Sequence, residues 1–93
     1  MIQELLSAGA ENALPGRYLC GLLEITLRDL TQAIERERRE GAPICASTQP
    51  PYGYFLASNR AEMEGYCRSL THRIGEINQT RRACLATLDR LPE

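Results

Sequence analysis

The apolar positions of this chain change period along its length, and the changes mark out its elements. Leu19, Cys20 and Leu23 recur at i, i+1 and i+4, one side of a helix, which predicts a helix from about Pro15 to Leu23. Tyr18 and Leu22 flank that side and widen it. Pro15 suits the first turn, where a missing N–H leaves no bond unmade. After a tight turn at Glu24-Ile25-Thr26, a second stripe begins: Ile25, Leu30 and Ile34, with Ala33 beside it. Thr26 is placed to cap this helix, and Asp29 lies three residues on, at the positive end of its dipole. Arg28, Thr31, Gln32 and Glu35 fall on its other side. Gly41 fits the left-handed position after a helix, and Pro43 prevents continuation. Two short apolar runs, Pro43–Ser47 and Tyr54–Ala57, then read as strands. The turn-rich loop Thr48-Gln49-Pro50-Pro51-Tyr52-Gly53 parts them, its prolines unable to donate to a ladder. Upstream, Ile2, Leu5 and Leu6 predict a short first helix over Ile2–Ala8, stopped by Gly9.

A last helix begins at Asn59, a capping residue, with Glu62 three residues on to reach back. Met63, Tyr66, Leu70, Ile74, Ile77, Cys84, Leu88 and Leu91 carry its apolar pattern as far as Pro92. That is about 33 residues, or roughly 50 Å if unbroken. Met63, Leu70, Ile77, Cys84 and Leu91 fall seven apart, as one heptad position does. Companion positions are mixed: Arg73, Thr80 and Thr87 on one side, and Cys67, Ile74, Arg81 and Leu88 on the other. Gly65 and Gly75 weaken the helix. Its first half is expected to pack on the core. Its second half has too little domain left to cover it and seeks a partner, most simply its own copy, through Ile77, Cys84, Leu88 and Leu91.

The expected fold class is therefore mainly α with a small β-hairpin. Helix, turn, helix and hairpin in that order is the plan of a winged helix-turn-helix, here with a long C-terminal helix behind it. Residues 1–57 form the helix-turn-helix domain and residues 59–91 the C-terminal helix, which packs and dimerises. The stretch GRYLCGLLEITLRDLTQAIERERREGAPICAS resembles the winged helix-turn-helix segment of bacterial and phage regulators. Ile25, Thr26, Arg28, Leu30, Ile34, Gly41, Pro43 and Ile44 match that pattern in order. The following GYFLASNRAEMEGYCRSLTHRIGEI is similar to the second wing strand and trailing helix of small phage and prophage DNA-binding proteins. Gly53, Tyr54, Phe55, Asn59, Glu62, Tyr66, Ser69, Leu70 and Arg73 carry that likeness. The resemblance implies a duplex DNA-binding protein acting in transcription regulation or phage replication. The chain departs from the pattern twice. Glu37 stands where the family has an apolar core residue, which predicts a looser or differently packed end to the second helix of the motif. Glu24 replaces the common turn glycine, which predicts an altered or unfavourable backbone there.

Composition narrows this picture. Ninety-three residues, 43% of them apolar, suit one small folded domain near the lower limit for a self-sufficient core. No apolar run approaches a membrane span, and the N-terminus lacks the basic start and apolar centre of a signal peptide, so the cytoplasm is the expected location. The net charge is −1, so any positive footprint has to be local. All eleven basic residues are Arg, which favours bidentate contacts with phosphate and guanine, although a GC-rich coding sequence produces the same bias. The run Glu35 to Glu40 reads equally as a solvated helix end with local ion pairs or as a functional surface. Cys20, Cys45, Cys67 and Cys84 are far apart and sit in apolar patterns, which predicts buried, reduced thiols and no metal site. No catalytic grouping is apparent and His72 lies on a charged helix face, so neither an enzyme nor a cofactor is expected.

The expected interface follows from groove geometry. The start of the second motif helix enters the major groove, with Arg28 on a base or phosphate, Thr31 and Gln32 on base edges, and Leu27 against a thymine methyl. Arg17 sits over the backbone, Thr26 lies at the helix start, and Thr48, Gln49 and Tyr52 reach phosphate or the minor groove from the wing. The alternative is a protein–protein module on the same fold, which an acidic domain with a long trailing helix also suits.

Overall fold

Burial and backbone pairing decide which of these segments form regular structure in the computed structural model, which describes residues 1–93. The N-terminal segment holds a 3-10 turn at Ile2–Leu5, then a second at Ala10–Asn12, and α1 spans Gly16–Leu23. Next come α2 (Leu27–Arg39), β1 (Ile44–Ser47), β2 (Gly53–Leu56) and α3 (Arg60–Arg90). The chain is thus mainly helical, with a small antiparallel hairpin and a long C-terminal helix.

The carbonyl of Pro15 accepts the N–H groups of Tyr18 and Leu19 at 3.1 and 3.2 Å and so starts α1. Leu19 is fully buried, and Cys20 and Leu23 are half-buried. Tyr18 and Leu22 do not widen this side: both remain more than half exposed, because α2 covers only one flank of so short a helix. Glu24 ends α1 in the left-handed conformation, φ 53°, the altered backbone its lack of a turn glycine predicts.

Thr26 caps α2, its Oγ1 accepting the Asp29 N–H at 3.1 Å. Leu30 and Ile34 point inward with almost no exposure, while Ile25 and Ala33 pack beside them. Gly41, at φ 106°, turns the chain out of α2, and the Ala42 N–H returns to the Glu37 carbonyl.

The hairpin pairs Ile44 with Leu56, Cys45 with Phe55, Ala46 with Tyr54 and Ser47 with Gly53. Alternation sends Ile44, Tyr54 and Leu56 toward Ile2, Leu6, Leu19, Leu30 and Ile34, the main core. Cys45 and Phe55 face the other way, onto Ala13 and Tyr66. Both faces of the hairpin are covered.

The outer edge of β2 is covered too, and this corrects the expected first helix. Leu14 and Tyr54 exchange two backbone hydrogen bonds of 2.9 and 2.8 Å, the Gly9 N–H donates to the Leu56 carbonyl, and the Leu56 N–H donates to the Ser7 carbonyl. Ser7 and Gly9 therefore spend their backbone groups on β2, and the helix stops after one 3-10 turn. Gly53 is required at this junction. Its φ is 140°, and a Cβ there would lie 2.1 Å from the Leu14 carbonyl oxygen.

At Glu37 the end of α2 is differently packed and not loose. This residue is buried, and its carboxylate accepts the backbone N–H of Ile2 at 2.7 Å and of Gln3 at 2.9 Å. The N-terminal ammonium lies 3.6 Å away. Burial pushes this carboxyl up, but the two N–H bonds and the ammonium outweigh it and hold it below its ordinary value. The polar residue in an apolar place is the anchor of the N-terminal segment.

Its neighbour Arg38 also leaves the solvated run. Nε donates to the Ile44 carbonyl at 2.8 Å, and the guanidinium lies 4.4 Å from the centre of the Tyr66 ring and 5.9 Å from that of Tyr54. The end of α2, the hairpin and α3 are joined through this one side chain. Glu35, Arg36, Arg39 and Glu40 remain in solvent.

Asn59 accepts the Glu62 N–H at 2.9 Å and caps α3. Glu62 reaches back one residue further than a simple capping box, accepting the N–H and hydroxyl of Ser58. Its other oxygen accepts the Ala10 N–H, which ties the connector to α3. The Ser58 bonds, then the Ala10 bond, hold this carboxyl below its usual range. Only the first turns of α3 pack on the body, through buried Tyr66 with Met63 and Ser69 half-covered. From Leu70 onward every residue is exposed, and the molecule measures 52 × 32 × 26 Å.

The cysteines divide differently from the expectation of four buried thiols. Cys45 is buried and Cys20 half-buried, whereas Cys67 and Cys84 lie exposed on α3, which outruns the body. Burial and the Glu62 carboxylate hold the Cys45 thiol above its ordinary value, so it stays protonated. His72 is exposed and 3.2 Å from Glu76. No helix is long and apolar enough to cross a membrane.

Candidate nucleic-acid interface

The cap at Thr26 sets where α2 begins, and so which side chains its first two turns present. Leu27, Arg28, Thr31 and Gln32 all lie exposed. Leu27 keeps 61% of its surface in solvent, a large fraction for a leucine at the start of an amphipathic helix. The opposite side of the same turns is anchored by Leu30, which is fully buried.

Beside these turns runs an open groove of about 990 Å³. One wall is the start of α1, with Gly16 and Arg17, and the other is the hairpin, with Ser47 and Gly53; Leu27 and Tyr54 lie between. At Gly16 the side chains of Leu27, Tyr54 and Leu30 stand in ordinary contact range, 3.4–3.6 Å from where a Cβ would lie. The first N–H groups of a helix have no intrahelical acceptor, so the start of α1 offers donors to this groove.

Of the sequence-predicted residues, Arg17 and Leu27 line this groove together. Arg28 is exposed on the following position of α2, and neither Arg17 nor Arg28 takes part in an ion pair. Arg39 and Arg60, by contrast, are paired with Glu35 and Glu64. Thr26 spends a lone pair on its cap and keeps its hydroxyl hydrogen for a further acceptor. Thr31 donates its only hydroxyl hydrogen to the Leu27 carbonyl at 2.9 Å, so toward a ligand it is an acceptor. Gln32 faces away from the groove, beside Asp29, Arg36 and Glu40.

Thr48, Gln49 and Tyr52 are exposed on the hairpin loop, outside the groove. The Ser47 hydroxyl holds the Gln49 backbone by accepting its N–H and donating to its carbonyl. This leaves the Gln49 side chain projecting from a fixed turn. The Pro50–Pro51 peptide in that loop is cis.

Sequence reasoning passed over Gly16, Ser47 and Gly53 as groove walls. The signal lies in Gly53, a glycine opening a strand, where the Leu14 backbone approaches closely. Charge on this face is sparse. From Gly16 to Gln32 the two arginines are balanced by Glu24 and Asp29, and the loop from Thr48 to Tyr52 carries no charge. The dimerisation residues expected from the pattern, Ile77, Cys84, Leu88 and Leu91, all lie exposed on the free part of α3 or just past its end. No family model, curated protein or solved structure matches the chain.

Proposed function

We propose that this chain is a winged helix-turn-helix protein that binds duplex DNA, with the first two turns of α2 in the major groove. The observation that carries the reading is the uncovered start of α2, flanked by the α1 N-terminus and the hairpin. A helix fits the major groove, and side chains of its first turns then reach base edges. Arg28 contacts a guanine edge or a phosphate, Leu27 a thymine methyl, and Thr31 and Gln32 neighbouring bases. Arg17 and the α1 N-terminus grip the backbone, Thr26 adds its hydroxyl, and Thr48, Gln49 and Tyr52 extend the contact to phosphate or the minor groove. The resemblance to phage and prophage regulators extends this to transcription regulation or replication.

The test is an electrophoretic shift screen of the full chain against random duplexes at low salt. The wild type should retain a subset of duplexes, and Arg28→Ala should bind that subset about tenfold or more weakly. Failure to retain any duplex overturns the proposal.

A second reading, a protein-binding module, is favoured by one specific observation. Tyr18, Leu22, Leu27 and Tyr52 each expose 53–61% of their surface on a body whose α1–α2 face carries no net charge. Binding of a protein partner there would vary little with salt, whereas phosphate contacts weaken steeply.

A further inference from the structure

The free part of α3 carries a seam that the rest of the fold leaves unused. In heptad terms Cys67, Ile74, Arg81 and Leu88 take one core position and Leu70, Ile77, Cys84 and Leu91 the other. Leu70, Ile74, Ile77, Leu88 and Leu91 expose 38–66% of their surface. Of the outward positions opposite them, Arg68, His72, Glu76, Gln79, Arg82 and Asp89 are polar, and Gly75, Ala83 and Ala86 are small. The seam is therefore cleaner than the companion positions imply when read singly, with Arg81 its one charged member.

We propose that the seam is covered by a second copy of this chain, running antiparallel, as a two-stranded coiled coil. Three observations select this occupant. The seam is about 25 residues and roughly 37 Å long, so two such helices cover on the order of 1,500 Å² between them, the size of a specific interface. The seam keeps a seven-residue spacing, its apolar run broken only at Arg81, and another helix of the same spacing matches it along its length. The flanking positions, Thr71, Asn78 and Leu85 on one side and Arg73, Thr80 and Thr87 on the other, hold a single charge, so nothing repels an identical helix.

Orientation follows from the layers. A parallel pair in register sets Arg81 against Arg81 and makes two thin layers of Cys67 and Cys84. An antiparallel pair centred near Gln79 sets Cys67 against Leu91, Leu70 against Leu88, Ile74 against Cys84, and Ile77 against Arg81. Each thiol then faces a large aliphatic group, and the Arg81 stem lies along an isoleucine while its head reaches water. The two bodies stand at opposite ends of the rod, their points of attachment about 40 Å apart along it.

Sedimentation equilibrium of the full chain tests the pairing independently of any DNA. The expected mass is twice 10.4 kDa, falling to one chain for Ile77→Lys with Leu88→Lys and unchanged for Gln79→Lys on the outer face. All three side chains are exposed, so the far-UV circular dichroism of the body should persist in each variant. Orientation is read from Leu91→Cys combined with Cys84→Ser under mild oxidation. Peptide mapping should find Cys67 joined to the introduced thiol at position 91 of the other copy. A mass of one chain up to about 100 µM, a mass above two, or a Cys67–Cys67 link each overturns the proposal.

Discussion

Replacing Glu37 probes the contact on which the N-terminal segment depends. The carboxylate accepts two backbone N–H groups, at 2.7 Å from Ile2 and 2.9 Å from Gln3, and the Ile2 bond is buried. A hydrogen bond to a charged group contributes about 1.5–3 kcal/mol net, and desolvation of the carboxylate offsets part of the pair, so Glu37→Ala should cost about 2–4 kcal/mol. A domain of this size has about 5–15 kcal/mol in total, so the loss is a large share. Glu37→Leu, which restores the apolar residue that the resemblance leads one to expect, should also destabilise, because the Ile2 N–H stays buried with no acceptor. The pH dependence supplies a second check. The folded-state carboxyl lies below its ordinary value of 4.5, so its contribution is fully present above that pH and is lost as pH falls through the lower folded-state value. Urea unfolding followed by circular dichroism, for wild type and Glu37→Gln from pH 7 to pH 3, should show the gap between them closing on acidification. A Glu37→Ala cost under about 0.5 kcal/mol, typical of a surface change, or a wild-type to Glu37→Gln gap that is unchanged at low pH, would refute the reasoning.

Three further substitutions test the backbone account. Glu24→Gly relieves a left-handed residue and should stabilise by about 0.5–1 kcal/mol, read as a higher urea midpoint at constant slope. Gly53→Ala forces a Cβ into the Leu14 carbonyl, so it should cost upwards of about 2 kcal/mol and speed amide exchange at Leu14 and Tyr54. Asn59→Ala removes the α3 cap and should cost about 1 kcal/mol, with exchange increasing first at Glu62.

Much of this architecture is written in local signals. Thr26 with Asp29, Gly41 with Pro43, and Asn59 with Glu62 each act within a few residues, so the ends of α2 and α3 are legible from sequence. Three of the misreadings share one cause: partners distant in the chain. Ile2 and Leu6 have helical spacing, yet Ser7 and Gly9 bond β2 instead. Glu37 looks like a solvated charge because its partners are backbone N–H groups 35 and 34 residues away. Arg38 is drawn out of the charged run by Ile44, Tyr54 and Tyr66. Tyr18 and Leu22 look like core until the short reach of α2 is known. Sequence places Arg17 near the start of one helix and Leu27 and Arg28 at the start of the next, and the structure has the same helices there with all three exposed. That Gly16 and Ser47 line the groove depends on packing that no local pattern contains.

The salt dependence of duplex binding tests the central proposal most directly. If Arg17 and Arg28 are the phosphate-neutralising groups of this face, the slope of log Kobs against log salt should be about −2 for each bound chain, falling to about −1 in Arg28→Ala. A slope near zero, or one that Arg17→Ala and Arg28→Ala leave unchanged, would contradict the proposal that this surface holds DNA.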